Sequence, residues 1–383
     1  MNRSPPSAWY RLRALIGLAG LVLLASCAST PPERPATPTP AESLLAPLAR
    51  QHHVCAAALA LVRQGQLQSI TTASGCEGAP AVGPDSVFQA ASLSKPVFAY
   101  AVLKLVQQGR LVLDAPVLQY LPQGYRHAHD PLHPEQPGRS DEVTDPRLGQ
   151  VTVRMLLQHT AGLPNWARGP LRFEGLPGER WSYSGEGYML LQRAVEHVMQ
   201  QALDEAMQAL VFAPLGLDHS GYRWTPSLGE ALLPGHRVDG VVRQQVRMNQ
   251  PVAAYSLYTT AGDYARFVRA WLKDPALQAL ASASPVEVDA RLRLAWGLGW
   301  GLETSDQGTG FWQWGSNPGY RAFVLALPAA GDGLVLLTNS DSGLKLVGPL
   351  VRAALPGQHP VLQSSFLSTG VLDRLCEVLR VCL

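Results

Sequence analysis

Apolar runs with strand character stand at both ends of this chain, and the long segment between them is mainly helical. Near the N-terminus, residues 53–63 and 67–74 predict a hairpin around Gln64-Gly65-Gln66. Near the C-terminus, turn residues separate four further strand-like runs, 294–302, 309–314, 321–327 and 333–338. Strands from distant parts of a chain become stable by joining one sheet, so the pattern predicts a single shared sheet with a helical lobe inserted.

Helical periodicity marks the middle of the chain. A first helix is predicted to begin near Ser92 and to stop at Gly109. Further helices are predicted at 152–159, at 188–203 and at 264–272, where the last follows a capping-box pattern. Ser92 is therefore expected at a helix N-terminus.

Size and charge narrow the class of protein. The chain has 383 residues, of which 46% are hydrophobic and 16% charged, and this suits a folded domain of enzyme size. The formal net charge is +2, and no dense basic run follows residue 13. Nucleic acid is therefore not an expected partner, and no pattern in the sequence specifies an oligomeric state.

The first residues resemble an export signal. Arg3, Arg11 and Arg13 precede an apolar run at 14–24, which is too short to span a membrane. The run ends in small residues before Cys27, as in the bacterial lipobox, where the cysteine becomes the lipid-modified N-terminus. The alternative is an ordinary signal peptide with a chance cysteine.

The lipobox interpretation predicts where the protein resides. Residues 1–27 are predicted to be a lipoprotein signal peptide that ends at Cys27, and the proline-rich segment 28–43 to be an extended tether. The expected location is the bacterial cell envelope, with the protein lipid-anchored, facing the periplasm and most readily placed at the outer membrane. The membrane is then a partner through the lipid anchor.

Four further cysteines allow two disulfides in an exported chain. If Gly65-Gln66 is the two-residue loop of the hairpin, Cys55 lies directly opposite Cys76, and we predict that these two form a bridge. If Gln64-Gly65 is the loop, Cys76 is two residues out of register. Cys376 and Cys382 can pair only across a bend, and free buried thiols are the alternative there.

The segment 125–150 is rich in His, Pro and Asp and lacks apolar periodicity. It is predicted to be a long surface loop. Its three histidines, His127, His129 and His133, lack fixed helical spacing, so no metal site is expected there and no cofactor is expected anywhere in the chain.

Ser-x-x-Lys is the motif with catalytic potential, because one helical turn brings a serine oxygen within reach of an amine. Chance alone predicts about 0.26 matches in a chain of this composition. The chain contains two, Ser92 with Lys95 and Ser342 with Lys345. The second lies in a Ser, Asp and Gly turn and is equally explained as a helix start.

Context favours the first motif. The run from Gln89 to Pro96 resembles the nucleophile segment of the serine β-lactamase and penicillin-binding family, in particular its class C-like branch. Other elements follow in the family's order: a His159-Thr160-Ala161-Gly162 turn, Tyr183-Ser184-Gly185 in place of Tyr-x-Asn, and Gln313-Trp314-Gly315 in place of Lys-Thr-Gly. The resemblance spans about residues 44–352.

The resemblance implies a fold and a domain plan. The expected fold is α+β, β-lactamase/transpeptidase-like, with an antiparallel sheet of about five strands built from both chain ends and flanked by helices. The hydrolase domain would cover 44–356, with a sheet lobe at 44–96 and 290–356 and a helical lobe at 97–289. Residues 357–383 would form a C-terminal tail.

The resemblance also implies residue roles. Ser92 would form the acyl-enzyme, and Lys95 and Tyr183 would share the proton transfers. A lysine must be desolvated or placed near a cation or phenolate to act as a base at neutral pH. The backbone N–H groups of Ser92 and Ser316 would form the oxyanion hole. Gln313, Trp314 and Gly315 would contact substrate, although Trp314 is equally explained as a core residue.

Two departures from the family pattern concern the substrate. Gly185 lacks the amide that the family's Asn offers to an acylamide, and Gln313 lacks the cation that would face a substrate carboxylate. Members without these groups include esterases and D-aminopeptidase-like enzymes. The sequence therefore predicts a serine hydrolase of the esterase or peptidase/amidase kind, acting on a small-molecule or peptide acyl group. The alternatives are a catalytically silent envelope protein that binds peptidoglycan or a partner, and a penicillin-binding protein without turnover.

Overall fold

The computed structural model describes residues 38–79, 81–134, 138–167 and 169–367. The predicted signal peptide, Cys27, Cys376 and Cys382 lie outside these ranges. Within them, no helix has the length and apolarity that a bilayer-spanning segment requires.

An eight-stranded antiparallel sheet organises the molecule. Its spatial order is β2-β1-β12-β11-β10-β9-β8-β7. The N-terminal strand β1 pairs with the C-terminal strand β12, and Ala57 lies opposite Thr338. The prediction of one sheet built from both chain ends is therefore confirmed. The strands of this sheet are β1 (Ala57–Arg63), β2 (Gln66–Ala73), β7 (Val286–Asp289), β8 (Leu294–Trp296), β9 (Gly301–Ser305), β10 (Gly308–Asn317), β11 (Tyr320–Leu327) and β12 (Asp332–Thr338).

Both faces of this sheet are buried, because successive side chains of a strand point to opposite sides. In β1, Ala58, Ala60 and Val62 belong to one hydrophobic cluster, whereas Leu59 and Leu61 belong to the other. Continuous apolar strands such as β11 and β12 therefore make a three-layered structure, with helices on each side of the sheet.

Ten α-helices of the described residues supply the outer layers. Helices α1 and α10 cover the hydrophobic cluster that contains Leu59 and Leu61. Helices α2 and α8 and the other helices of the inserted lobe cover the cluster that contains Ala58. The helices are α1 (Pro40–Gln51), α2 (Ser94–Gln107), α3 (Val153–Leu157), α4 (Gly185–Met199), α5 (Leu203–Met207), α6 (Ala213–Leu215), α7 (Pro226–Ala231), α8 (Ala261–Leu272), α9 (Pro275–Ser282) and α10 (Val347–Ala354).

Two small sheets complete the described part of the chain. Strand β3 (Phe88–Ala91) pairs with β6 (Leu257–Thr259), directly before Ser92. Strands β4 (Arg126–Ala128) and β5 (Ser140–Glu142) form a ribbon within the segment predicted to be a surface loop. His127 is fully buried in this ribbon, so a surface loop is the wrong description at that position.

The sheet has more strands than the five expected. The run 294–302 is divided into β8 and β9, because Gly299 has φ +87° and lies so close to α2 that a Cβ atom there would be 2.1 Å from Cβ of Ala99. The edge strand β7 also belongs to this sheet, although it lies inside the segment expected to form the helical lobe.

Both ends of the described domain extend beyond the predicted boundaries. Helix α1 begins at Pro40, where Thr39 and Glu42 form a capping box, so the last residues of the predicted tether are helical. At the other end, the described part of the predicted tail packs on the sheet, and Phe366 stacks on Trp314 with 4.7 Å between ring centroids.

The predicted disulfide is present. Cys55 and Cys76 are joined across a sequence separation of 21 residues, with 4.6 Å between their Cα atoms. The hairpin loop is Gln64-Gly65, both at positive φ, which is the alternative that seemed to put Cys76 out of register. A register shift after Leu61 moves the pairing by one residue. The chain after Ala73 leaves the strand, and this accounts for the remaining one-residue offset of Cys76.

Candidate active site

Ser92 lies in a tight turn between β3 and α2. Ala91 has φ +50°, a left-handed conformation that a non-glycine residue adopts only when its surroundings enforce it. The side chain of Ser94 enforces it here, since its hydroxyl donates to the carbonyl of Ala91 at 2.6 Å and accepts from the N–H of Leu257 at 3.0 Å. Helix α2 begins at Ser94, so Ser92 precedes the helix by two residues.

Lys95 is the buried amine beside this serine. Its side chain has no solvent exposure, and its Nζ lies 3.2 Å from Oγ of Ser92 and 2.8 Å from the carbonyl oxygen of Ala254. Burial lowers the pKa of Lys95 from 10.5 to about 7. A substantial fraction of the amine is therefore neutral at pH 7 and can accept a proton, and desolvation is the cause.

Tyr183 reaches the same point from the N-terminus of α4. Its ring centroid lies 4.7 Å from Nζ of Lys95, and the side-chain amide of Gln313 donates to its hydroxyl at 3.0 Å. Burial raises the pKa of Tyr183 well above its usual range, although hydrogen bonds to Ser92 and Gln313 act in the opposite direction. The phenol is therefore neutral at physiological pH.

These groups open onto a cleft of about 590 Å³, which suits a ligand of modest size. Trp314 and Ser316 from the end of β10 form one side of it. Among the described residues that line it, the ionisable side chains are those of His129, Glu186 and two tyrosines. The lining residues are Ser92, His129, Pro131, Asn165, Trp166, Ala167, Tyr183, Glu186, Tyr255, Trp314, Ser316, Asn317 and Pro318.

Two of the predicted substrate contacts do not line the cleft. Gln313 is fully buried and its amide donates to Tyr183 and to the carbonyl of Trp314. Gly315 is buried too, and a Cβ atom there would lie 2.5 Å from the carbonyl oxygen of Ala90. Its lack of a side chain lets β10 approach the turn before Ser92, which is a packing role.

Trp314 lines the cleft and is also part of the core. Its ring lies 4.9 Å from that of Tyr183 and stacks on Phe366 from the tail. Trp314 therefore has core contacts, and its contact with substrate stays a prediction.

Gly185, at the position of the family's Asn, faces an indole. A Cβ atom there would lie 2.4 Å from Trp166, and the N–H of Gly185 donates to the side-chain oxygen of Asn165 at 3.0 Å. The space beside Gly185 is therefore filled by Trp166, whose ring contacts Tyr255 edge-on at 5.3 Å. Sequence reasoning missed Asn165, Trp166 and Tyr255, since no motif marks them.

The ribbon β4–β5 brings a further wall to the cleft. His129 and Pro131 follow β4 and line the cleft next to Glu186. Glu186 is buried, accepts the N–H of Ala167 at 2.8 Å and contacts Nε2 of His127 at 3.1 Å. The alternation of His127 and His129 was the available signal, because it places both on one face of a strand.

Two other residues that the sequence motifs mark, His159 and Ser342, have structural hydrogen-bond partners. His159 is buried at φ +58°, and its Nδ1 accepts the N–H of Ser184, which stabilises the turn. Burial and the charge of Lys95 hold its pKa well below the usual range. In the second Ser-x-x-Lys motif, Ser342 donates to the carbonyl of His52, and neither Ser342 nor Lys345 lines the cleft.

Comparison with known proteins gives a consistent result. The model of the Beta-lactamase family matches residues 41–355. "Penicillin-binding protein 4" of Amycolatopsis lactamdurans is 27% identical over 352 residues, which cover 80% of this chain and 87% of the relative. "Esterase EstB" of Burkholderia gladioli is 29% identical over 340 residues, which cover 70% of this chain and 81% of the esterase.

Solved structures agree in fold. The structure titled D-alanine carboxypeptidase AmpC from Burkholderia cenocepacia superposes with a TM-score of 0.62 at 19% identity, covering 79% of this chain and 95% of that one. The structure titled SurE superposes with a TM-score of 0.66 at 25% identity, covering 83% of this chain and 76% of that one.

Proposed function

The chain belongs to the Beta-lactamase family and is a serine hydrolase of that family, and on this premise we propose that it hydrolyses esters or amides with an uncharged acyl group through an acyl-enzyme on Ser92. The observation that carries the proposal is the 3.2 Å approach of the desolvated Lys95 amine to Oγ of Ser92. A nucleophile and a base with a pKa near neutrality are in hydrogen-bond contact.

The proposed acylation follows from these contacts. Oγ of Ser92 bonds to the substrate carbonyl carbon while its proton passes to Nζ of Lys95. The N–H groups of Ser92 and Ser316 would hold the oxyanion, since both residues line the cleft. The neutral phenol of Tyr183 is suited to protonate the leaving group, and the Lys95 ammonium restores the proton of the phenol. Water then attacks the carbonyl carbon of the acyl group. The proton transfers run in reverse, and a proton returns to Oγ of Ser92 as the acid product leaves.

The polarity of the cleft supports an uncharged substrate. None of the described residues that line it is lysine or arginine, and Gln313 is buried against Tyr183 instead of facing the cleft. A β-lactam or a peptide ending in D-alanine presents a carboxylate, which would meet no lysine or arginine among the described lining residues. The relative named Esterase EstB is consistent with ester hydrolysis.

A substrate panel tests this proposal. The wild-type protein and Ser92→Ala are assayed with p-nitrophenyl acetate and butyrate, a chromogenic cephalosporin and a D-alanyl-D-alanine peptide. We expect Ser92-dependent turnover of the esters that exceeds turnover of either carboxylate-bearing substrate. Faster turnover of the cephalosporin or the peptide would contradict it.

Penicillin binding is the second candidate function, favoured by the similarity to a protein named Penicillin-binding protein 4. In that case a penicillin would acylate Ser92 and remain there. Fluorescent penicillin that labels the wild-type protein stably, but not Ser92→Ala, would support this candidate. Labelling that decays with turnover, or no labelling, would contradict it.

We also propose export and lipidation at Cys27, with residence in the cell envelope. The support is the basic start, the apolar run 14–24 and the small residues before Cys27. Expression in a bacterium fed with labelled palmitate should give a labelled membrane protein, and Cys27→Ala should abolish the label. An unlabelled wild-type protein in the soluble fraction would contradict lipidation.

A further inference from the structure

Three potential metal ligands share one face of the ribbon β4–β5. His127 and His129 are two residues apart, and side chains at that spacing point to the same side of an extended chain. Asp141 lies directly opposite His127 on β5, and the N–H of His129 bonds to the carbonyl of Arg139, which continues the pairing. Cross-strand partners also point to the same side. The backbone alone therefore brings two imidazoles and a carboxylate together.

The side-chain geometry is compact. Nδ1 of His127 lies 3.4 Å from Oδ1 of Asp141, and Nε2 of His129 lies 2.6 Å from the same oxygen. One ligand atom from each residue lies within 4.8 Å of the others. Tetrahedral zinc, with bonds of about 2.0–2.1 Å, separates its ligand atoms by roughly 3.3 Å. To reach that geometry the contact between Nε2 of His129 and Oδ1 of Asp141 must open by less than about 1 Å, while the contact between His127 and Asp141 already has that separation.

An independent observation comes from the other side of His127. Its second ring nitrogen, Nε2, contacts Oε2 of Glu186 at 3.1 Å, and Oε1 of Glu186 is held by the N–H of Ala167. Both residues are buried. Histidine ligands of metals commonly donate their other N–H to a carboxylate, which fixes the tautomer and leaves the free nitrogen toward the metal. Glu186 stands in that position behind His127.

We propose that His127, His129 and Asp141 bind a divalent transition metal of the zinc class, with a fourth coordination position open toward the Ser92 cleft. Two imidazoles and one carboxylate suit zinc and similar ions and are poor ligands for Mg²⁺ or Ca²⁺. Three protein ligands with an open position are typical of sites where the metal meets a water or a substrate. The outward side chains of His129 and Asp141 are 16% and 26% exposed, and His129 lines the cleft, so an ion can reach the site.

The site does not depend on the proposed acyl-enzyme, because none of its ligands contributes to the contact between Ser92 and Lys95. The competing interpretation is a metal-free cluster in which a protonated imidazole bridges the carboxylates of Asp141 and Glu186. The metal site predicts stoichiometric metal binding and the metal-free cluster does not. Metal binding can be measured without any substrate.

The purified chain, stripped with a chelator and dialysed, is titrated with Co²⁺ and then Zn²⁺. We expect one equivalent of Co²⁺ with the intense visible absorption of a low-coordinate site, displacement by Zn²⁺, and a zinc dissociation constant below about 10 µM. His129→Ala and Asp141→Asn should each weaken binding by at least about tenfold. They are preferred to a His127 variant because His127 is fully buried and its loss can unfold the ribbon.

Two control variants separate this site from others. His133→Ala removes an exposed histidine of the same segment that contacts Asp130, so it should bind zinc as the wild-type protein does. Ser92→Ala should also bind one equivalent, whether or not the protein proves to be a hydrolase. A wild-type protein that binds no equivalent of metal would overturn the proposal. A folded His129→Ala or Asp141→Asn variant that binds zinc as tightly as the wild-type protein would overturn it too.

Discussion

The indole of Trp166 fills the space at the edge of the cleft where a side chain at Gly185 would begin. A Cβ atom built at Gly185 would lie 2.4 Å from a ring carbon of Trp166. The absence of an asparagine at this position is therefore coupled to the presence of a tryptophan nineteen residues earlier. A single substitution cannot place an amide there without moving the ring.

This coupling predicts non-additive stabilities. Gly185→Asn should lower the free energy of unfolding by about 1–3 kcal/mol because it overpacks the site. Adding Trp166→Ala should return part of that loss, giving a coupling energy of at least about 0.5 kcal/mol in a double-mutant cycle measured by urea denaturation. Gly149→Ala, where the Cβ atom meets nothing within 4 Å, serves as the control. Additive effects of the two substitutions would contradict this coupling.

The lowered pKa of Lys95 predicts the pH dependence of activity. The value of kcat/KM for an aryl ester should rise with pH and level off above an apparent pKa of about 7, because the neutral amine is the form that accepts the serine proton. Lys104→Met, on the exposed part of the same helix, should keep this profile. A profile flat between about pH 5.5 and 8.5 would contradict the role of Lys95.

The same shift has a consequence for stability. Unfolded chains hold Lys95 protonated up to pH 10.5, whereas the folded protein releases the proton near pH 7. Between these values the unfolded state binds more protons, so this group makes the free energy of unfolding rise with pH. Lys95→Met should remove that contribution, and its stability relative to the wild-type protein should fall as pH rises through this interval.

Tyr183 and Tyr188 both place a phenol ring near Lys95, with 4.7 and 5.5 Å between Nζ and the ring centroids. Tyr183→Phe should lower kcat by about 10²-fold or more, because it removes a proton donor while keeping the ring against Trp314. The hydroxyl of Tyr188 has no partner among the described residues, so Tyr188→Phe should leave kcat within about threefold and cost no stability. Equal losses in both variants would indicate a packing effect only.

The disulfide of Cys55 and Cys76 should stabilise the hairpin of the sheet. Cys76→Ser is expected to lower the free energy of unfolding by about 3 kcal/mol, because a closed loop of this size restricts the unfolded chain. Reductant should have the same effect on the wild-type protein and none on the variant. Equal urea midpoints of the oxidised and reduced wild-type protein would contradict this expectation.

The sequence predicted those features whose residues are neighbours along the chain. The spacing of Ser92 and Lys95, the apolar strands and the threonine cap of α8 all follow from local rules, and the order of the motifs selected Ser92 over Ser342. The single sheet was predictable because long apolar strands from both chain ends need partners.

Contacts between distant segments were not predictable in this way. Trp166 fills the space beside Gly185, and Gly315 is required by the carbonyl of Ala90, but neither relationship leaves a spacing in the sequence. The segment 125–150 was predicted to be a loop because its two strands are only three residues long. The pairing of these strands also buries a histidine instead of an apolar residue. Its position at the cleft was therefore missed.

The residue that a covalent inhibitor modifies shows directly whether Ser92 is the nucleophile. The wild-type protein, Ser92→Ala, Lys95→Met and Ser342→Ala are treated with a fluorophosphonate, and the modified residue is located by peptide mass spectrometry. We expect one adduct on Ser92 in the wild-type protein and in Ser342→Ala, a rate at least about 10²-fold lower in Lys95→Met, and no adduct in Ser92→Ala. Labelling that persists in Ser92→Ala, or that depends on Ser342, would contradict it.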